Sequence, residues 1–452
     1  MKLLMDGATA LADVEAAGIR IDVDYLDRAI AWTGQKIKRM EAELRADDVF
    51  QHWRREFGAW ADLGSRQQLG KVVYGCLGEH AMYSTATGRT STAAEALAEV
   101  DHPFVRRWLS FEALKKLRST SLLGVRRQVV DGCLHANYSL HLAKTLRSVS
   151  SDPNFQNFPI RDPKQAKIIR RAFVPRPGRV LLEIDSSQSE VRCACAYHHD
   201  PVMIRYIEDE FDLHRDMAAE LFLMEPEDVT KQVRRVAKSY FTFAAFYGDW
   251  WPSIAANLWR AVEAERLQTA DGRLLRDHLT EQGIEELGSL EPKPGPVAGT
   301  FAAHVKRVED HFWGERFRAY ARWKRDWWEQ YLRRGCYEML TGFVVPGVFR
   351  RNEVINGPIQ GTAFHWLLWT LIETNRRLRG GGLKTLIVGQ IHDSMLLDVP
   401  RSELQDVVAI VQDVAVVALP KHWPWINVPL AVEASVCERN WYEKEDLAME
   451  AA

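Results

Sequence analysis

The chain has 452 residues, 46 % hydrophobic and 27 % charged, with a net charge of −2. It is too long for one compact core and too apolar for a disordered chain, so two or three soluble lobes are expected. The charge excludes a uniformly basic nucleic-acid binder, and no apolar run reaches the ~18 residues of a membrane helix.

The opening MKLLMDGATALADVE lacks a signal-peptide pattern, which makes the cytoplasm the expected compartment. Residues 8–60 read as an amphipathic helix, a turn at Gly18–Asp22, and a long helix through Ile30, Ile37, Met40 and Leu44. Ser65 is placed to N-cap another helix. A polar segment from Tyr83 to Thr92, with Thr87-Gly88-Arg89, leads into a helix from Phe104 to Leu123. Its apolar Leu109, Leu114 and Leu117 are interleaved with Arg106, Arg107, Lys115, Lys116 and Arg118, a face suited to a phosphate backbone. From His102 to Val180, 16 Lys plus Arg stand against 4 Asp plus Glu, so the basic charge is concentrated rather than absent.

Residues 134–179 read as loop-rich, centred on Ser150-Ser-Asp-Pro-Asn-Phe-Gln-Asn-Phe-Pro159. A strand from Val180 to Ile184 ends at Asp185. From Pro201 to Tyr331 the pattern is helical and Trp-rich, broken by an exposed loop at Pro292–Pro296. Leu386 to Val399 reads as a hairpin around Gln390-Ile-His-Asp-Ser394, and Val428 to Val436 as a last strand. The six cysteines (Cys76, Cys133, Cys193, Cys195, Cys336, Cys437) have no CxxC spacing. They read as reduced core thiols, with Cys193 and Cys195 packing beneath a site, and not as a zinc cluster.

Asp185 and Asp393 each interrupt an apolar run, where an unpaired carboxylate is costly. Either alone is more readily a capped turn or a structural ion pair. Together they suit two divalent ions roughly 3.5–4 Å apart, the device that activates an attacking hydroxyl and stabilises a leaving phosphate. Mg2+ prefers such oxygen donors, so two aspartates and a backbone carbonyl suffice as protein ligands. Between them lies RRVAKSYFTFAAFYG. Arg234 and Lys238 share a helix face at i,i+4, as do Phe243 and Tyr247. Cations there can hold a triphosphate and rings there can stack on a base. Tyr247-Gly248 suits close backbone approach to base pairs. Glu190, just past the Asp185 strand, is placed to fill the space of a ribose 2′-hydroxyl, although taken alone a Glu here is more often a solvent-exposed carboxylate. Acid, basic-aromatic helix and acid, in that order, point to template-directed nucleotidyl transfer.

Taken together, these blocks resemble family A DNA polymerases from Leu11 to Trp441. Asp185–Arg192 is similar to motif A, Arg234–Gly248 to motif B and Gln390–Asp393 to motif C. Supporting blocks are Ser150–Asn157, Asp212-Leu-His214, Asn356–Thr362, Val428-Pro-Leu and Asn440-Trp441. The resemblance implies an α+β multidomain right-hand fold of thumb, palm with antiparallel sheet, and helical fingers. Residues 1–62 would be helices bracing palm and thumb, 63–145 the thumb, 146–205 the first part of the palm, 206–345 the fingers, and 346–452 the rest of the palm.

It further implies metal binding by Asp185 and Asp393 (two Mg2+, with Mn2+ as substitute) and catalysis by these two with Lys238. The dNTP would meet Gln188, Glu190, His214, Arg234, Lys238, Phe243 and Tyr247. Primer-template DNA would meet Arg118, Arg147, Asn154, Gln156, Arg192, Asn356, Gln360 and His392. The chain would act as a monomer away from membranes, with a separate exonuclease, helicase, primase or processivity factor as further partners.

Several departures from the family pattern stand out. Lys238 and Phe243 are five apart where the family has four, so they share a face only if the helix carries a one-residue bulge. In the other register Thr242 and Phe246 would take the aromatic roles. FxFxxFYGDWW is similar to a phage-associated branch, which implies a viral or mobile-element origin. Ser394 and Ser186 replace the usual acid and Tyr, changes expected to lower rate or fidelity. The chain starts at the family's polymerase region, leaving no room for an upstream exonuclease: either it is a fragment, or proofreading is elsewhere or lacking. Two rivals remain. A single-subunit RNA polymerase shares the palm and His-Asp-Ser, but Glu190 opposes it. A catalytically idle DNA-binding relic is opposed by the presence of both aspartates, Arg234 and Lys238.

Overall fold

The computed structural model describes residues 2–78, 91–98, 100–160 and 162–448. The Thr87-Gly88-Arg89 part of the polar segment lies outside the described residues. Helix α1 (Lys2–Ala17) ends at the Gly18 turn, and α2 (Val23–Ala46) is capped by the Asp22 carboxylate, which accepts from the Tyr25 N–H. Ser65 accepts from the Gln68 N–H, but the helix it caps, Arg66–Gly70, widens at once into a π segment, Lys71–Cys76.

The basic helix is α3 (Pro103–Lys116), continued by a π segment, Leu117–Leu122. Its buried face is Phe104, Trp108, Phe111 and Leu114, with Leu109 only half buried. Trp108 and Phe111 therefore carry the packing that the sequence reading gave to Leu109. Several of its cations are engaged within the chain. Arg106 pairs with Asp101 and Arg107 with Asp47, and Arg118 Nε donates to the Ile30 carbonyl at 3.2 Å. Arg118, expected on DNA, braces α3 against α2. The loop-rich stretch contains a helix not anticipated there, Pro163–Arg170, announced by the Asp162 cap and Pro163 at its first turn.

Strand β1 (Arg179–Ser186) is followed by α4 (Ser189–His198) and α5 (Leu213–Phe222). Next comes α6, built of three segments, Lys231–Ala237, a π segment Lys238–Thr242, and Phe243–Phe246. Beyond it lie α7 (Trp251–Ala264), α8 (Arg318–Arg334) and the long α9 (Arg351–Gly380). The hairpin β2 (Leu386–Ile391) and β3 (Ser394–Pro400) precedes β4 (Val432–Cys437) and β5 (Glu445–Leu447). The expected last strand starts four residues late, because Pro429 has no N–H to give a ladder.

These strands form one antiparallel sheet in the order β5-β4-β1-β3-β2. Central β1 is buried on both faces. Val180, Leu182 and Ile184 pack with Leu367, Leu368 and Leu371 of α9, while Leu181 joins Phe155, Phe173 and Trp441. A separate core, running from Met203 to Tyr320, holds the helical segment between β1 and α9 together.

Helix α9 contains Pro358, which has no N–H to donate to the Val354 carbonyl four residues back. The Trp327 indole N–H of α8 takes that carbonyl at 3.1 Å, so the break is repaired by the neighbouring helix. Gly361 is required on the same helix: a Cβ there would stand 2.5 Å from the Thr145 carbonyl. Among the described residues no helix is long and apolar enough to cross a membrane. The six cysteines are free thiols.

Candidate active site

Sheet register builds the floor of the site. Asp185 pairs across the ladder with Ser394 on one side and Glu433 on the other. Asp393 sits in the β2–β3 turn, after His392 in a left-handed conformation (φ 51°), and its carbonyl accepts from the Ser186 N–H at 3.1 Å. Both carboxylates line one cavity of about 370 Å³ with Gln188, Glu190, His214, Lys238, Phe243, Tyr247, Asn356 and Gln360. The carboxyl of Asp185 is pushed up to about 7, first by burial and then by the charges of Asp393, Glu183 and Glu433. Among the described residues no three His, Cys, Asp or Glu side chains are grouped to hold a metal alone. The all-oxygen pair nevertheless fits Mg2+, which completes its shell from phosphate, backbone and water.

Helix α6 is the roof. Its π segment closes with the Phe243 N–H on the Lys238 carbonyl, an i→i+5 bond. The extra residue is absorbed there, and Lys238 Nζ lies 5.2 Å from the Phe243 ring centroid. Phe243 and Tyr247 remain neighbours, with ring centroids 6.2 Å apart. Thr242 is fully buried, and Phe246 packs on Phe312, Trp313 and Tyr320 while its edge touches the cavity. His214 of α5 meets Phe243 edge-on at 5.5 Å. Burial, then Lys238 and Arg234, lowers its pKa to about 4, so it is a neutral imidazole at pH 7. Arg234 donates to Asp212 at 2.6 Å and lines a second cavity with His214, Gln188 and Arg192.

Glu190 stands between floor and roof. It accepts from the Tyr247 hydroxyl and lies 3.8 Å from Arg147. Asn356 Nδ2 holds the Tyr247 carbonyl at 3.2 Å. Gly248 has φ +93°, and a Cβ on it would stand 2.4 Å from Asn352, so the close approach at this glycine is by α9. Gln156 donates to Ser148 at 2.9 Å and to Gln390 at 2.8 Å, turning part of its capacity inward. Arg192 spends its guanidinium on the Ser187 and Pro429 carbonyls. Asn154 and His392 are exposed.

The sequence reading missed Ser189, whose hydroxyl donates to Asp393 Oδ2 at 3.2 Å, and the wall of Ala194, His198, Met203, Tyr320 and Ile359. Ala194 and His198 follow Glu190 at steps of four on α4, a spacing that was legible. Gln390 was named only within its motif. It is a buried node that accepts from Ser148 and Gln156 and donates to the His392 carbonyl at 2.8 Å.

Comparisons with known proteins point to one family. DNA polymerase I, thermostable, of Thermus thermophilus is 30 % identical over 453 residues, covering 96 % of this chain and 47 % of that protein. DNA polymerase I of Chloroflexus aurantiacus is 29 % identical, covering 97 % and 42 %. The chain thus spans about half the length of these curated relatives. The fold matches that of a solved structure, the POL domain of Pol1 from M. smegmatis in complex with DNA primer-template and dNTP. The TM-score is 0.74 at 24 % identity, over 97 % of this chain and 70 % of that one. The pattern of the family described as DNA polymerase family A matches residues 33–270 and 346–443, and the chain belongs to that family.

Proposed function

We propose that this chain is a template-directed DNA polymerase that adds dNMP from dNTP to a primer 3′ end and releases pyrophosphate. The observation that carries the reading is one cavity bounded by Asp185 and Asp393 below and by Lys238, Phe243 and Tyr247 above. The sheet with α4 and α9 serves as palm, the helical segment around α5–α8 as fingers, and the region of α3 as thumb. Two Mg2+ ions held by Asp185 and Asp393 would supply charge neutralisation at the attacking and leaving oxygens. Lys238 and Arg234, with neutral His214 as a hydrogen-bond donor, hold the triphosphate. Phe243 stacks on the incoming base. Glu190, fixed by Tyr247 and Arg147, excludes a 2′-hydroxyl, which favours this reading over an RNA polymerase. Asn356, Gln360, Asn154, Arg147 and His392 meet the primer-template, where minor-groove acceptors common to all base pairs allow contact without sequence preference. We place the protein in the cytoplasm, acting as a monomer.

The test is extension of a labelled primer on a DNA template with Mg2+, with dNTPs or rNTPs, beside Asp393→Asn. Extension with dNTPs only, lost in the variant, is expected. Efficient rNTP use would promote the RNA polymerase reading, and no extension with either would leave a DNA-binding relic.

A further inference from the structure

The widened turn of α6 leaves one polar group unpaired. Thr242 ends the π segment and is fully buried, and its hydroxyl has no hydrogen-bond partner among the described residues. A threonine inside an α-helix can give its hydroxyl to the carbonyl three or four residues back. Thr33, equally buried in the regular α2, does so, donating to the Ala29 carbonyl at 2.7 Å. For Thr242 the carbonyl four back is that of Lys238, which here accepts the Phe243 N–H instead. The turn that keeps Lys238 and Phe243 on one face is the turn in which Thr242 goes unsatisfied.

Ring contacts hold the helix in this register. Phe241, inside the π segment, meets Phe312 edge-on at 5.2 Å, and Phe246 packs on the same ring at 5.8 Å. On the cavity side Lys238 lies over Phe243, and His214 meets that ring edge-on. Moving the widened turn one residue onward, past Phe243, would give up contacts of Phe241 and Phe243. In return it would restore a regular turn from Lys238 to Thr242, with the hydroxyl free to bond the Lys238 carbonyl. Phe243 would rotate by about 100°, away from the cavity. An unpaired buried hydroxyl shifts such an equilibrium by roughly 5- to 150-fold. Ring packing on one side and one hydroxyl on the other make α6 a two-state element.

We propose that Thr242 is a positioning residue that sets the balance between two registers of the roof helix, and that the incoming nucleotide selects the register with Phe243 over the cavity. This rests on the polymerase reading, because the selecting contact is a base stacked on Phe243. Thr242 is not among the residues that line the cavity, so it acts only through Phe243. Its hydroxyl weakens apparent dNTP binding by lowering the population of the competent register, and it leaves the chemical step untouched.

The test puts 4-fluorophenylalanine in place of Phe243 and follows it by fluorine NMR. Spectra are taken of the free protein, of its complex with a dideoxy-terminated primer-template, and after adding the next correct dNTP. The otherwise wild-type chain is expected to show two resonances, which the nucleotide gathers into one. Thr242→Val should show mainly that one without nucleotide, and Thr242→Ser, which keeps the hydroxyl, should show two. In single-nucleotide incorporation, Thr242→Val should lower the apparent dNTP Kd by roughly 5-fold, with the maximal rate within about twofold. Thr242→Ser should match wild type in both. One resonance from the otherwise wild-type chain in every state, or equal Kd values for the valine and serine variants, overturns the proposal. Wild type that incorporates no nucleotide removes the polymerase reading, while the free-protein spectra still decide whether two registers exist.

Discussion

The floor and the roof of the cavity hold their residues by different means. The floor is a sheet, and ladder register alone puts Asp185 beside Ser394 and the adjoining Asp393 turn. The roof is a helix whose register changes within five residues, so that Lys238 and Phe243 stay together only through an i→i+5 turn. A one-residue error in the floor would turn every side chain to the opposite face. The roof tolerates an added residue by local widening. Insertion in the strands of such a site should therefore abolish it, whereas the helix has a place to absorb one.

The largest effect expected is on the floor. Asp185→Asn or Asp393→Asn should lower kcat by on the order of 10³-fold or more, a loss of several kcal/mol at the metal oxygens. Chelation should do the same to wild type in single-turnover extension, with recovery on adding Mg2+. The roof is sharpened by contrasting its two phenylalanines. Phe246→Ala, cutting into the Phe312–Tyr320 cluster, should destabilise by about 3–5 kcal/mol in urea unfolding. Phe243→Ala should instead raise KM for dNTP with little change in the urea midpoint. The opposite assignment of those two effects would mean that the other helical register is populated.

Glu190→Ala joins floor to roof. Freed of its clasp with Tyr247, the site should improve rNTP use relative to dNTP by roughly 10- to 100-fold in kcat/KM. Acid should act on two buried imidazoles, His198 in the wall of the site and His365 within α9. Burial lowers His365 to about 4 and His198 to about 3, below the ordinary 6.5. The unfolded chain then binds more protons, so stability is full above about pH 6.5 and falls as pH drops toward 4. His365→Gln should flatten that acid limb by about 1–3 kcal/mol in urea midpoints measured from pH 7 to 4. Smallest of all, Thr242→Val should stabilise by about 1 kcal/mol, since the buried Thr242 hydroxyl has no partner among the described residues.

The floor was legible because strand signals and carboxylates are local: Val180 to Ile184, a hairpin, and one acid in each. The roof was legible as a helix, and its odd spacing named the bulge that the structure contains. What was not legible depends on partners far away in sequence. Nothing near Arg118 says that the Ile30 carbonyl will accept from it, and nothing near Arg192 points to Pro429. A cation in a basic stretch was read as free because its acceptors come from other elements. Trp108 and Phe111 were overlooked for the opposite reason: leucines were counted and the aromatics at the same helical spacing were not.

The sheet that carries the acids is assembled from the two sides of a long helical excursion. β1 must wait for β3 and β4, whose residues pair with it from more than 200 positions downstream. The helical core from Met203 to Tyr320 is able to condense first, since its contacts are local. During synthesis, then, the roof should exist before its floor. A nascent chain halted before Val432 would hold one acid on an unfinished sheet edge, open to pairing with a stranger. Competence would therefore arrive late and all at once, when the final strands reach β1.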